Sequence, residues 1–323
     1  MSIERFSAAL ESEFATYQFG ESPRELYEPL HYILDLGGKR IRPLLTLLSA
    51  NLFLEDAGSA LKPAMAVEVF HNFTLMHDDI MDQAPLRRGK PTVHRHWDTN
   101  RAILSGDVML VSAYALLADM EGAGLKRALL RFNKTAAEVC EGQQLDMLFA
   151  ERDEVSKEDY LEMIRLKTSV LVGYALELGG ILAGADERVC AALFSIGENL
   201  GLGFQMTDDI LDVYADPKVF GKQVGGDIIE NKKTWLYIRA VEKAAGTTSA
   251  EALRGYLEEA DSERKVEGVR GLFTALGIRE EATAVARAYF EAAERGLAEL
   301  DCPRPEQKAH LATLFNQIRN RQK

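Results

Sequence analysis

Apolar residues recur at spacings of three and four along almost the whole chain, and period-two alternation is nearly absent. Segments at 24–35, 43–54, 61–82, 98–119, 125–150, 157–183, 187–213, 229–244, 248–260, 279–299 and 305–320 show this pattern. Such spacing puts a stripe of side chains on one side of a helix, whereas a strand would alternate its faces. The breaks carry Gly, Pro, Asp or Asn, as in LGGKRIRP, QAPLRRGKP and ADPKVFGKQVGGD. The pattern therefore predicts an all-α chain. Segments 125–150, 157–183 and 187–213 are rich in Ala, Leu and Gly on more than one face, which predicts central positions. No linker-like tract divides the helices, so residues 1–323 read as a single domain, one large helical bundle.

Composition narrows the function classes. With 47% hydrophobic and 27% charged residues the chain is globular, and no low-complexity tract marks a disordered arm. The N-terminal stretch MSIERFSAALESEF lacks an apolar signal region, and the other apolar runs look too short to span a bilayer. A cytoplasmic protein with no stable membrane insertion is expected. Three widely separated cysteines, Cys140, Cys190 and Cys302, form neither a disulfide framework nor a CxxC metal site. A formal net charge of −12 argues against nucleic acid or an anionic membrane as partner, and it makes local clusters of Arg and Lys more informative.

Two nearly identical acidic motifs stand out, HDDIMD at 77–82 and TDDILD at 207–212, each inside an apolar helical segment. On a helix, residues four apart lie about 40° apart around the axis and about 6 Å along it. Asp78 and Asp82 then share a face, as do Asp208 and Asp212, whereas Asp79 points elsewhere. Carboxylates turned toward one another across a cavity repel unless cations lie between them. Magnesium suits such sites, because it takes oxygen ligands and is usually held by one or two carboxylates together with substrate phosphates. One such motif could be solvated surface acid, but its repetition makes that explanation poor.

Basic residues flank these motifs. GGKRIRP at 37–43 places Lys39, Arg40 and Arg42 around a helix start after two glycines, where free backbone amides favour an anion. Arg87 and Arg88 follow Asp82 closely, and Lys167 with Thr168, then Lys222 and Lys232, supply further cationic and hydroxyl groups. His71 stands seven residues before Asp78, two turns away on nearly the same face, so it can meet the same ligand. His77, His94 and His96 lack that support and read as structural or loop residues.

Taken together, GGKRIRP, LMHDDIMDQAPLRRGKP, LKTS, FQMTDDILD and GKQVGGDIIENKKT stand in the order and spacing of the trans-prenyltransferases, so the chain resembles the polyprenyl diphosphate synthases. The resemblance implies a homodimeric, all-α isoprenoid synthase fold, with a deep central cavity and three magnesium ions in each subunit. It implies that Asp78, Asp82 and Asp208 ligate magnesium and that Asp212 does so through water. It makes Asp79 and Asp209 supporting residues. The allylic diphosphate is expected at Arg87, Lys167, Thr168, Gln205, Lys222 and Lys232, and isopentenyl diphosphate at Lys39, Arg42, His71 and Arg88. Lys167, Thr168 and Lys222, with the three aspartates, are the expected catalytic groups. The allylic partner would be dimethylallyl, geranyl or farnesyl diphosphate.

The implied chemistry ionises the allylic diphosphate and joins the resulting carbocation head to tail to isopentenyl diphosphate, with loss of a proton. Gly197, Gly201 and Gln205 along the second motif helix could leave room for substrate or could allow close helix packing. A class I terpene cyclase would resemble a single DDxxD with an Asn/Asp-Ser/Thr-Glu triad, whereas the second motif here is DDILD. A head-to-head synthase would lack GGKRIRP and the RRGKP loop, and a non-catalytic subunit of a heteromeric synthase would not need intact motifs. Product length should be set by the helix before the first motif. Phe73 lies about 7.5 Å and Phe70 about 12 Å before Asp78 along the axis, and Phe73 is the expected floor. Thr74 stands where many farnesyl synthases resemble one another in carrying a second aromatic. This points to a twenty-carbon product, geranylgeranyl diphosphate, ahead of fifteen-carbon farnesyl diphosphate.

Overall fold

The computed structural model describes residues 2–120, 122–215 and 224–321. Among the described residues, ten α-helices account for most of the first two thirds of the chain: α1 (Ile3–Thr16), α2 (Arg24–Asp35), α3 (Ile41–Ala50), α4 (Leu61–Met81), the one-turn α5 (Val93–His96), α6 (Thr99–Ala118), α7 (Gly124–Glu151), α8 (Lys157–Ile164), α9 (Val170–Leu182) and α10 (Glu187–Tyr214). Further helices follow at Gly226–Ile229, Trp235–Ala244, Thr248–Leu257, Ser262–Ala275, Ile278–Glu299 and Lys308–Arg319. The fold is all-α, as expected. The only strands among the described residues are β1 (Leu86–Arg87) and β2 (Lys90–Pro91), paired antiparallel.

Three departures from the sequence reading have local causes. The segment expected at 229–244 is broken, because Asn231 takes a left-handed conformation (φ 55°) and Thr234 caps the next helix by accepting from Tyr237 N. Helix Ser262–Ala275 was missed, although Asp261 caps it by accepting from Arg264 N at 2.9 Å; Gly268 and Gly271 dilute its apolar stripe. Helix α1 was missed too, its apolar stripe reduced to a few positions such as the buried Phe6 and Leu10.

The chain forms two compact units. The first comprises residues up to 135, 171–197 and 296–314; the second comprises 136–170, 198–295 and those from 315 on. In the first unit, α4 is the axis: Ala64, Met65, Ala66, Val67, Val69 and Phe70 are buried on it, and α3 and α6 lie against it. Helix α6 is long and apolar enough to cross a membrane by length and composition, a property the sequence reading did not anticipate. In this fold it lies against α4 and α2, with less than half of its apolar window buried. The second unit has its own core, in which Met206, Trp235, Leu236, Phe273 and Ile278 are buried together with Tyr160 and Met163.

Candidate active site

In the first unit, Asp78 lies in the last turn of α4 and Asp82 is its C-cap residue, with Asp82 N donating to Asp78 O at 2.8 Å. Carboxylates at this end of a helix face the negative pole of its macrodipole, an arrangement that a bound cation would relieve. Asp79 is turned inward and buried, and Arg87 grips it with two hydrogen bonds of 2.7 Å from Nε and Nη2. The expected allylic ligand Arg87 is therefore tied to Asp79 of the acidic motif.

The RRGKP segment, read as a loop, is a two-residue hairpin. Arg88 and Gly89 occupy its turn with φ of 53° and 77°, the double left-handed geometry that suits the twist of the flanking strands. This turn carries Arg88 to the GGKRIRP segment. A Cβ on Gly38 would fall 2.8 Å from a guanidinium nitrogen of Arg88, so only glycine lets the arginine lie against that backbone. Arg42 reaches the same place from α3, its Nη1 3.2 Å from His71 Nε2 on α4. Since a guanidinium only donates, His71 Nε2 accepts and carries no proton. Burial first, and then the positive charges of Arg42, Arg87, Arg88 and Arg40, hold the His71 pKa well below its usual value. Three of the four residues expected to bind isopentenyl diphosphate, Arg42, His71 and Arg88, thus meet as a cationic cradle around a neutral imidazole. Lys39 precedes Arg40, the N-cap residue of α3.

In the second unit the chain between α8 and α9 widens into a single π-helical turn, Arg165–Ser169, which contains the LKTS motif. Such turns redirect side chains and are frequent at functional sites. Lys167 Nζ donates to Asp146 Oδ2 at 2.6 Å, and Thr168 Oγ1 donates to Gln205 Oε1 at 3.2 Å. Gln205 Nε2 passes the network on to Asp209 Oδ1 at 3.1 Å, and the Tyr160 hydroxyl donates to Asp209 Oδ2. Burial and the neighbouring Asp227 push Asp209 up to about 8, against the hydrogen bonds from Tyr160 and Gln205. Burial and Asp227 likewise raise Asp212 to about 7. Lys232 stands 3.8 Å from Asp227 and 3.1 Å from Glu230. Burial opposes its charge, but those two carboxylates leave its pKa raised. Lys222 lies outside the described residues.

The donor chemistry fits magnesium. Crowded, upward-shifted carboxylates at Asp209 and Asp212 describe a site short of positive charge, and the Arg321 guanidinium lies on the Asp208 carboxylate while stacking 4.1 Å from the Phe204 ring centroid. Among the described residues no three His, Cys, Asp or Glu side chains gather into a metal-binding group.

Of the two readings of Gly197 and Gly201, room for substrate or close helix packing, the structure favours packing. A Cβ on Gly197 would lie 2.5 Å from Val172 O, and one on Gly201 would lie 2.6 Å from Ser169 Cα, so both serve close backbone packing. Residues the sequence reading passed over include Gly142, Asp146, Tyr160 and Asp227. An acidic residue in EGQQLD, within an otherwise Ala- and Leu-rich helix, was the available signal for Asp146.

Phe73 is buried, with its ring centroid 5.5 Å from Phe70 and 4.7 Å from His77. Phe70 is edge-on to Phe132 at 5.1 Å, and Phe132 in turn touches Tyr114 and Tyr174. Thr74 is occupied locally, its hydroxyl donating to His71 O at 2.8 Å.

A family profile described as Polyprenyl synthetase matches residues 23–272. The chain belongs to the polyprenyl synthetase family. It is 40% identical over 284 residues to a geranylgeranyl diphosphate synthase of Methanosarcina mazei, covering 87% of this chain and 86% of that one. It is 37% identical over 299 residues to a geranylfarnesyl diphosphate synthase of Aeropyrum pernix, covering 90% and 93%. A crystal structure of a geranylgeranyl pyrophosphate synthase superposes with a TM-score of 0.94 at 44% identity over the full length of both chains. The all-α architecture of this polyprenyl synthetase is therefore the isoprenoid synthase fold.

Proposed function

We infer that the protein is a prenyltransferase that condenses isopentenyl diphosphate with an allylic diphosphate, head to tail, to give a short-chain trans-prenyl diphosphate. The observation that carries this reading is the placement of the first acidic motif across the last turn and C-cap of α4, where it favours a bound cation, with the second in the last two turns of α10. The cradle of Arg42, His71 and Arg88, with Lys39 beside it, binds the diphosphate of isopentenyl diphosphate. Lys167, Thr168, Gln205 and Lys232, with Arg87 and Lys222, serve the allylic diphosphate. Magnesium, three ions per site in the family resemblance, is held by Asp78, Asp82 and Asp208, with Asp212 acting through water. When bound it neutralises the charge that develops on the departing pyrophosphate.

The chain's own groups do the rest. Lys167 and Lys232 stabilise the leaving anion as the allylic carbon–oxygen bond breaks. The cradle orients isopentenyl diphosphate so that its double bond attacks that carbon, and the released pyrophosphate takes the proton. A twenty-carbon product is part of the reading, supported by Phe73 standing above the packed rings of Phe70 and Phe132.

A homodimer is also part of it. Leu104 and Val111, one heptad apart on α6, are 57% and 66% exposed, an apolar face that a second copy would cover. A cytoplasmic setting is part of it as well. The test is to incubate the purified chain with magnesium, labelled isopentenyl diphosphate and each allylic primer in turn, and to separate products by length. No elongation of any primer by a folded chain would refute the reading.

A further inference from the structure

Arg40 lies between Lys39 and Arg42 in the GGKRIRP segment, but its guanidinium is bound to the protein's own groups. Its side chain is only 6% exposed, Nη1 donates to Glu68 Oε1 at 2.9 Å, and Nη2 donates to the Leu34 carbonyl at 2.8 Å. The guanidinium also lies 4.8 Å from the Phe14 ring centroid. Its backbone is left-handed (φ 46°, ψ 39°), a conformation that non-glycine residues hold only when their surroundings impose it. Glu68, 4% exposed on α4, has its carboxylate Oε1 3.4 Å from Asn72 Nδ2, which also donates to the Glu68 backbone carbonyl at 2.8 Å. A buried charge pair of this kind is a poor source of stability but a strong constraint on register.

The register it constrains belongs to the cradle. Arg40 and Arg42 are two residues apart on one side, and Glu68 and His71 are three residues apart on the other. The contacts Arg40–Glu68 and Arg42–His71 thus form two rungs joining the α3 start to α4. We propose that Arg40 and Glu68 are a positioning pair that sets Arg42, and Lys39 beside Arg40, for the diphosphate of isopentenyl diphosphate without touching it. Both terminal nitrogens of Arg40 are engaged by the protein, so its effect on the ligand passes through its neighbours. Glu68 also counters the charge on Arg42 and Arg88, so the cradle keeps an internal counter-ion before the anion arrives.

The inference rests on isopentenyl diphosphate occupying this cradle, and the test separates the two ideas. R40M/E68L removes both buried charges together and so avoids leaving either unpaired; R40K keeps a counter-charge for Glu68 but loses the forked contact; R42Q reports on the cradle itself. For each variant, folding is followed by circular dichroism and thermal unfolding, and KM is measured separately for isopentenyl diphosphate and for the allylic primer. We expect a folded R40M/E68L whose KM for isopentenyl diphosphate rises at least about tenfold, with the allylic KM within about twofold of the parent and a smaller rise in R40K. An unchanged isopentenyl diphosphate KM, or equal rises for both substrates, overturns the positioning role. If R42Q nonetheless raises that KM, the cradle assignment stands without it; if R42Q does not, the assignment falls and the inference with it. Should R40M/E68L fail to fold, R40K decides by the same comparison.

Discussion

Arg42 Nη1 lies 3.2 Å from the unprotonated Nε2 of His71, so the imidazole serves as an acceptor at the centre of a cationic cluster. Protonation would remove that acceptor and add a charge beside Arg42, Arg87 and Arg88. The native pKa is lowered, while the unfolded chain takes up a proton on this histidine near pH 6.5. Below that pH the unfolded state binds a proton that the native state refuses. Stability conferred by neutral His71 is thus complete at higher pH and falls as pH drops below the unfolded value, by up to about 1.4 kcal/mol per pH unit. Denaturant unfolding at pH 7.5 and pH 5.5 should show a smaller difference for His71→Gln than for the parent; an equal difference would assign the acid sensitivity to other groups.

Asp208, read as a magnesium ligand, lies against the Arg321 guanidinium in this structure. Asp208→Asn keeps the shape and removes the charge. Turnover should fall by at least about two orders of magnitude while circular dichroism stays unchanged, and excess EDTA should abolish turnover of the parent. Near-normal rates in either experiment would contradict the metal assignment.

Product length is the third expectation. Removal of the Phe73 ring leaves Phe70 as the next layer, and Phe132 and its neighbours stand behind that one. Chromatography of the Phe73→Ala products should show chains longer by one or two five-carbon units at comparable total turnover. Phe70→Ala combined with Phe73→Ala should extend them further. An unmoved distribution from a folded, active variant would remove Phe73 as the floor.

Gly142 tests the π-helical turn. A Cβ there would fall 2.2 Å from Lys167 N and 2.7 Å from Leu166 C, and backbone atoms cannot swing aside as a side-chain tip can. Gly142→Ala should force α7 away from the turn that presents Lys167 and Thr168. We expect a loss of about 1–3 kcal/mol in stability, as for other overpacked sites, together with a raised KM for the allylic substrate. Wild-type values for both quantities would mean that the close approach is not needed.

Helical spacing and the two DDxxD motifs were legible because they are local properties. A period of 3.6 residues is read from neighbours along the chain, and Asp78 and Asp82 share a face by helix geometry alone. The LKTS and RRGKP segments could likewise be placed beside function from their residue types and order. Their shapes could not be read in the same way. The π-helical turn at Arg165–Ser169 depends on Gly142 and Gly201 admitting neighbouring backbone, and the Arg88–Gly89 turn gains its meaning from Gly38. Gly201 itself shows the limit, since a small residue in a sequence records that space is needed or that space is filled, and only the facing Ser169 decides which. The same holds for Arg40 and Arg42, two similar cations two residues apart. One is buried against Glu68 and the other stands at His71, because side-chain direction and the partners 28 and 29 residues away are set by packing. Residue type and local period determined which groups this chain has for its chemistry; the long-range contacts decided which of them face the ligand and which hold the others in place.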